Sequence, residues 1–197
     1  MTTATSGKAV SPWNVPNLLT SSRLVLSCVV FGLIAYELFF AACVCFVIAA
    51  STDWIDGYWA RKYGQVTKLG RIFDPFVDKI IICGTFIALV GVSESGIAAW
   101  MAIIVVGREL LVTSLRGLIE GAGGDFSARQ LGKWKMVLQC AAVIVVLIDL
   151  MTPESPNWLA ITSVLTVWSA ILLTLVSGLD YVFIAGRVLR TVPAENA

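Results

Sequence analysis

Histidine is absent from the sequence, and charged residues are scarce. Without histidine, catalysis by an imidazole base and the common zinc sites are excluded. Only 14% of the 197 residues are charged, whereas a soluble domain carries about 25%. The 14 basic residues are dispersed, which argues against a nucleic acid as partner. With 58% hydrophobic residues, the sequence is typical of an all-α integral membrane protein.

Apolar runs divide the chain into six predicted membrane crossings. Between residues 24 and 52 the one charged residue is Glu37. A single helix over these 29 residues would be roughly 44 Å long, which exceeds the ~30 Å core of a bilayer. We therefore expect a hairpin near Glu37. The six predicted crossings are residues 17–36, 39–62, 70–92, 97–118, 133–150 and 158–185.

Basic residues lie at one end of these crossings. The connections near Glu37, Glu94 and Glu154 contain no lysine or arginine. The opposite ends carry Lys8, Arg23, Lys62, Lys68, Arg71, Arg129, Lys133, Arg187 and Arg190. Because cytoplasmic segments are enriched in basic residues, we expect both termini in the cytoplasm. The predicted organisation is a short juxtamembrane tail over residues 1–15, a membrane domain over 16–190 and a second cytoplasmic tail over 191–197.

Four aspartates lie between residues 53 and 78, beside strongly apolar sequence. Asp53 and Asp56 are three residues apart and Asp74 and Asp78 four apart, so each pair lies on one face of a helix. The predicted topology brings both pairs to the membrane from the same side. One unpaired carboxylate at the centre of a membrane helix costs about 2.5–3.5 kcal/mol, and a hard divalent cation removes that cost. Two cations would balance the four charges, and magnesium, manganese and calcium all suit carboxylate ligands.

The same stretch resembles the signature of the CDP-alcohol phosphotransferases. That signature is Asp-x-x-Asp-Gly-x-x-Ala-Arg followed by Gly-x-x-x-Asp-x-x-x-Asp. Its eight fixed positions are all matched here, by Asp53, Asp56, Gly57, Ala60, Arg61, Gly70, Asp74 and Asp78. The resemblance implies a multi-pass, homodimeric enzyme of a bacterial-type inner (plasma) membrane, with its active site facing the cytoplasm.

The resemblance also implies roles for the aspartates. Asp53, Asp56 and Asp74 would hold one divalent cation, and Asp53, Asp74 and Asp78 would hold a second. The cations would be Mg²⁺, with Mn²⁺ as the alternative, and Asp78 would also be the catalytic base. A pair of divalent ions can stabilise both the attacking and the leaving oxygen in a displacement at phosphorus.

The implied donor is CDP-diacylglycerol. Seven residues match donor-binding positions of the family or its signature, namely Asn17, Thr20, Gly57, Ala60, Arg61, Thr67 and Gly70. Four of them have a simpler alternative. Small residues such as Gly57 and Gly70 also let membrane helices pack closely, Arg61 could instead anchor its helix at the headgroup level, and Thr67 could be an ordinary loop residue.

Four basic residues are candidates for the acceptor site. Arg108 follows a run of four aliphatic residues, and Arg116, Lys133 and Lys135 lie on the same side of the membrane. Together they would suit a phosphate monoester. The stretches GRELLVTSLRG and LGKWK resemble the phosphatidylglycerophosphate synthase branch of the family, which implies sn-glycerol 3-phosphate as acceptor. Alternatively, Arg108 pairs with an aspartate or with Glu109, and Lys133 snorkels at a helix end.

Two other functions fit part of the pattern. The same chemistry could use a different acceptor, such as inositol phosphate, phosphatidylglycerol or serine. A divalent-cation transporter would also place acids within a membrane, but it gives no reason for Gly57, Ala60 and Arg61. A purely structural helix bundle would not tolerate four acids.

Overall fold

A computed structural model describes residues 15–63, 68–121 and 130–191, and these ranges are helical apart from short turns. The helices are α1 (Val15–Ala35), α2 (Phe39–Tyr63), α3 (Lys68–Val90), α4 (Ala99–Gly121), α5 (Gln130–Met151) and α6 (Asn157–Thr191). One turn of 3₁₀-helix (Ser93–Ser95) precedes α4. The predicted all-α fold is confirmed, and no strand occurs in the described ranges.

The largest difference from the predicted helix bounds is at the end of α6. The sixth predicted crossing ends at residue 185, and the helix continues to Thr191. Hydropathy predicts where a chain leaves the membrane, whereas a helix ends where a breaking residue stops it. The first proline after this span is Pro193, so nothing in the sequence interrupts the helix earlier. The 35 residues of α6 are about 52 Å long, well beyond the ~30 Å core of a bilayer.

Within the described ranges, two helical segments are long and apolar enough to cross a membrane, Gly132–Met151 and Asn157–Val188. Shorter apolar segments lie in α1 (Thr20–Ala35) and α2 (Phe39–Thr52). These segments support a membrane location. The six-crossing topology stays a prediction, because charged residues interrupt the apolar runs of α3 and α4.

The helices pack around one continuous apolar core. Helix α1 packs against both α2 and α3, while α5 packs against α2 and α6, and α6 also packs against α4. Side chains that are fully buried in this core come from five different helices: Val30, Phe46, Phe86, Val105 and Leu147. A smaller cluster lies apart from it, between the second halves of α4 and α6. It contains Val112, Ile119, Tyr181 and Ala185, and we call it the α4–α6 cluster.

Tight turns close the end of the bundle opposite the aspartate motif. Helix α1 ends in a Schellman motif, in which Leu38 N–H donates to Leu33 O at 2.8 Å and Glu37 N–H donates to Ile34 O at 2.9 Å. Glu37 has a φ of 58°, in the left-handed region that glycine usually occupies in this motif. Glu154 adopts a similar φ of 52° between α5 and α6. These turns confirm the hairpin predicted near Glu37 and the connection predicted near Glu154.

Helices α1 and α3 approach closely at Gly84. A Cβ atom at this position would lie 2.2 Å from Phe31 Cζ. Replacing Gly84 by alanine should lower the thermal midpoint in detergent, because the ring must move and overpacking a core costs about 1–3 kcal/mol. The control is Gly32→Ala in α1, since a Cβ there meets nothing within 4 Å. Equal midpoints for the two variants would contradict this account of the α1–α3 contact.

Candidate functional site

The buried face of α1 changes from polar to apolar along the helix. Its buried positions are Thr20, Arg23, Ser27, Val30 and Ile34, spaced alternately three and four residues apart. This spacing places all five on one face. The first three are polar and the last two are aliphatic, so the interior of the bundle is polar in the half that contains the aspartate motif.

Helices α5 and α6 contribute to the same polar interior. Lys135 and Gln139 are buried early in α5, and Thr174 and Ser177 are buried in the second half of α6. Gln139 Nε2 donates to Thr174 Oγ1 at 2.9 Å, which joins the two helices. Buried polar groups in an apolar bundle are costly unless they are paired, so this concentration in one half indicates a functional site.

A salt bridge between α1 and α3 fixes the carboxylate of Asp78. Arg23 Nη1 donates to Asp78 Oδ1 at 2.5 Å. Arg23 is 1% exposed and the Asp78 side chain 27% exposed. Ser27 Oγ donates to the backbone carbonyl of Arg23 at 2.8 Å. No role at the site was predicted for Arg23 from the sequence, although a charge in an apolar helix requires a partner.

A second charged group lies between α4 and α5. Arg108 Nη1 donates to Glu109 Oε1 at 3.0 Å, and Lys135 Nζ donates to the same oxygen. We call these three side chains the Glu109 cluster. Arg108 is 10% exposed, Glu109 is 12% exposed and Lys135 is 6% exposed. Two cations share one carboxylate here, so the cluster keeps an excess of positive charge. Arg108 and Lys135, two predicted acceptor residues, therefore lie together.

Arg108 has further donors for which the described residues offer no acceptor. Its Nε and Nη2 atoms are buried and lack hydrogen-bond partners in the described part of the chain. The guanidinium carbon lies 5.4 Å from the centre of the Tyr181 ring. A buried donor that is left unsatisfied costs about 1–3 kcal/mol, and more when it is charged. Because Nε and Nη2 form one edge of the guanidinium, they suit bidentate binding of a phosphate or carboxylate.

The other two predicted acceptor residues are not paired with this group. Arg116 is half-buried, and its Nε lacks a hydrogen-bond partner among the described residues. Lys133 is exposed. Among the described residues, no ion pair joins either one to the Glu109 cluster. The structure thus brings together two of the four predicted acceptor residues.

A hydrogen bond from Lys79 joins α3 to α4. Its Nζ donates to Thr113 Oγ1 at 2.6 Å, and Thr113 Oγ1 donates to the backbone carbonyl of Glu109 at 2.7 Å. Lys79 follows Asp78 directly in the sequence. Lys79 therefore joins α3 to α4 through Thr113, one residue after Asp78.

The backbone places the aspartate motif at the junction of α2 and α3. Asp53 and Asp56 lie in the second half of α2, and Asp74 and Asp78 lie in the first half of α3. Thr67 lies outside the described residues. The other positions of the motif and of the predicted donor site, except Thr20 and Asp78, are described only as helix backbone: Asn17, Asp53, Asp56, Gly57, Ala60, Arg61, Gly70 and Asp74.

This backbone arrangement is compatible with a metal centre. Both aspartate pairs belong to helices joined by residues 64–67, and α1 packs against both helices. Four carboxylates form a donor set that suits Mg²⁺ or Mn²⁺. Among the side chains that the structure describes, no group of three or more acids or cysteines could hold a metal ion.

Comparison with known proteins identifies the family of the chain. The family model for CDP-alcohol phosphatidyltransferase matches residues 13–176. The chain belongs to the CDP-alcohol phosphatidyltransferase family. It is 38% identical over 141 residues to the CDP-diacylglycerol–glycerol-3-phosphate 3-phosphatidyltransferase of Bacillus subtilis, covering 72% of this chain and 71% of that protein. The protein of the same name from Blochmanniella floridana is 32% identical over 185 residues, covering 90% and 93% of the two chains.

A third relative is the probable phosphatidylglycerophosphate synthase of Mycobacterium tuberculosis. It is 34% identical over 193 residues, covering 91% of this chain and 83% of that protein. Membership of the CDP-alcohol phosphatidyltransferase family confirms the resemblance carried by the aspartate motif and makes the chain a transferase. The family uses divalent cations in general. Tyr181 lies beyond the region that the family model matches.

Proposed function

We propose that this CDP-alcohol phosphatidyltransferase moves the phosphatidyl group of CDP-diacylglycerol onto sn-glycerol 3-phosphate. The products are phosphatidylglycerophosphate and CMP. The observation that carries the choice of acceptor is the buried edge of Arg108, where Nε and Nη2 lack partners in the described part of the chain. A phosphate monoester would satisfy both donors. The names of the relatives from Bacillus subtilis and Blochmanniella floridana support the same acceptor.

The four aspartates of the motif would hold two Mg²⁺ ions, or Mn²⁺ in their place. Asp53, Asp56 and Asp74 form one ligand set, and Asp53, Asp74 and Asp78 form the other. When bound, such ions offset the negative charge of the pyrophosphate and of the departing CMP. A carboxylate offers about four lone-pair positions, so the bond that Asp78 accepts from Arg23 is compatible with metal binding.

The donor would lie along α1, α2 and the start of α3. Asn17 and Thr20 would contact the nucleotide part from α1, and Thr20 is 2% exposed at the polar end of the buried face. The remaining donor residues are the motif positions Gly57, Ala60, Arg61 and Gly70 with Thr67 beside them. The acyl chains of CDP-diacylglycerol would stay in the bilayer.

In the transfer step, Asp78 would accept the proton of the attacking glycerol hydroxyl. The hydroxyl oxygen forms a bond to the lipid-linked phosphorus, and the bond from that phosphorus to CMP breaks. Arg23 fixes the position of the Asp78 carboxylate through the 2.5 Å bond. Arg108 and Lys135, with Arg116 and Lys133 nearer the solvent, would hold the acceptor phosphate. Positioning both substrates in this way makes the displacement effectively unimolecular.

The membrane arrangement belongs to the same proposal. Residues 16–190 would form the membrane domain with six crossings, and residues 1–15 and 191–197 would be cytoplasmic tails. The absence of lysine and arginine near Glu37, Glu94 and Glu154 supports this orientation. The active site would face the cytoplasm of a bacterial-type inner membrane, and the enzyme would act as a homodimer.

The test is a turnover assay with the purified protein in detergent. With CDP-diacylglycerol, sn-glycerol 3-phosphate and Mg²⁺, we expect CMP and phosphatidylglycerophosphate in equal amounts, and EDTA should abolish both. Parallel reactions contain inositol phosphate, phosphatidylglycerol or serine as acceptor. A lipid product with one of these, and none with glycerol 3-phosphate, would refute the acceptor assignment. Ion flux in vesicles without release of CMP would indicate a transporter.

A further inference from the structure

The guanidinium of Arg108 is enclosed by α6. Tyr181 is 3% exposed, and its ring centre lies 5.4 Å from Arg108 Cζ. An aromatic face at this distance attracts a cation. The ring therefore covers one face of the guanidinium, while Glu109 accepts from Nη1 at 3.0 Å. Nε and Nη2 are left as the edge that can bind another group.

Two glycines leave room for this arrangement. A Cβ atom on Gly178 would lie 3.1 Å from Arg108 Cγ, so the bare backbone of α6 lets the arginine stem pass. A Cβ atom on Gly132 would lie 3.1 Å from Tyr181 Oη and 3.9 Å from Arg108 Nη2. The 3.1 Å separation between this Cβ and Tyr181 Oη is shorter than most Cβ contacts in proteins. Gly132 in α5 and Gly178 in α6 thus define the space that the ring and the guanidinium share.

We propose that Tyr181 is a positioning residue for acceptor binding, which orients the Nε and Nη2 edge of Arg108 towards the phosphate of the acceptor. This inference rests on the proposed function. Tyr181 does not touch the substrate and acts through Arg108. Because the ring blocks one face and Glu109 holds Nη1, the guanidinium has one orientation before the acceptor arrives. Preorganisation of this kind strengthens binding by lowering the cost of ordering the side chain.

A merely structural role for Tyr181 makes a different prediction. The residue also belongs to the α4–α6 cluster, so its loss could lower stability without any specific effect on the acceptor. Stability and kinetic measurements distinguish the two roles. Loss of packing lowers the thermal midpoint or the yield, whereas loss of positioning raises the KM for glycerol 3-phosphate more than the KM for CDP-diacylglycerol.

The experiment compares Tyr181→Leu, Tyr181→Phe and the wild type in the full-length protein. Tyr181→Leu should raise the KM for glycerol 3-phosphate about tenfold, with kcat and the KM for CDP-diacylglycerol changed less than about twofold. Tyr181→Phe keeps the aromatic face and should stay within about threefold of the wild type. Phe183→Leu is the matched control, because Phe183 is on the same helix and 70% exposed. An unchanged KM for glycerol 3-phosphate in Tyr181→Leu overturns the proposal.

A second series remains decisive if Tyr181→Leu fails to fold. Gly132→Ala should raise the KM for glycerol 3-phosphate, because the new Cβ displaces the tyrosine hydroxyl. The double variant Gly132→Ala with Tyr181→Phe lacks that hydroxyl and should recover most of the affinity. Gly186→Ala is the control, since a Cβ there meets nothing within 4 Å. No effect of Gly132→Ala, or no recovery in the double variant, overturns the positioning role.

The wild-type reaction separates this inference from the proposed function. If the wild-type protein makes no lipid product from glycerol 3-phosphate, the proposed function fails. If it does and the Tyr181 and Gly132 variants keep wild-type constants, only the positioning role fails.

Discussion

Replacing Asp78 by asparagine is expected to lower kcat about 10³-fold. Asparagine cannot accept the proton of the acceptor hydroxyl, and removing a general base costs typically 10²–10⁴-fold. Its neutral oxygen is also a weaker metal ligand than a carboxylate oxygen. The side chain keeps an oxygen that can accept the bond from Arg23 Nη1, so the contact between α1 and α3 should remain. The measurement is the rate of CMP release at saturating concentrations of both substrates.

Two comparisons make the Asp78 result specific. Glu94→Gln removes an exposed acid at the opposite end of the bundle and should leave kcat unchanged. Arg23→Leu removes the buried cation that pairs with the partly exposed Asp78, so this variant should lose stability as well as activity. A folded Asp78→Asn protein that retains more than about a tenth of the wild-type kcat would rule out Asp78 as the base.

Replacing Arg108 by glutamine should raise the KM for glycerol 3-phosphate about 100-fold. The variant loses the Nε and Nη2 edge, and each hydrogen bond to a charged group contributes about 1.5–3 kcal/mol. Arg108→Lys keeps the charge but not the two parallel donors, and we expect about a tenfold increase. The KM for CDP-diacylglycerol should change less than about threefold in both variants. Initial rates over a range of glycerol 3-phosphate concentrations provide the measurement.

The control for Arg108 is Arg187→Gln on α6. Arg187 is exposed, so its replacement removes one positive charge without removing a buried side chain. An equal rise in KM for Arg187→Gln would mean that the general positive charge of this face attracts the acceptor. An equal rise in the KM values of both substrates for Arg108→Gln would place Arg108 in the donor site.

The all-α fold and the family could be predicted because their signals are local in sequence. The aspartate motif spans only residues 53–78, and its spacing is fixed by the period of one helix and the start of the next. The turns at Glu37 and Glu154 were also predictable, because each interrupts a long apolar run. Such signals need no knowledge of which helices touch.

The partners of the charged residues could not be predicted in the same way. Arg23 and Asp78 are 55 positions apart, and Lys135 and Glu109 are 26 apart. Their pairing depends on which helices pack together and on how each helix is rotated. Tyr181 lies still further from Arg108 in sequence, and an aromatic residue in an apolar helix resembles an ordinary core residue. Arg108 beside Glu109 was one of the alternatives open from sequence, and the structure contains that pair.

The separation of the α4–α6 cluster from the main core has a consequence for regulation of the enzyme. Small groups of apolar contacts open locally at a lower free energy than a whole domain. Because Tyr181 belongs to this cluster and touches Arg108, a brief opening there would release the guanidinium while the rest of the bundle stays folded. If Arg108 binds the acceptor as proposed, substitutions near the end of α6 would change acceptor binding without altering the chemical step.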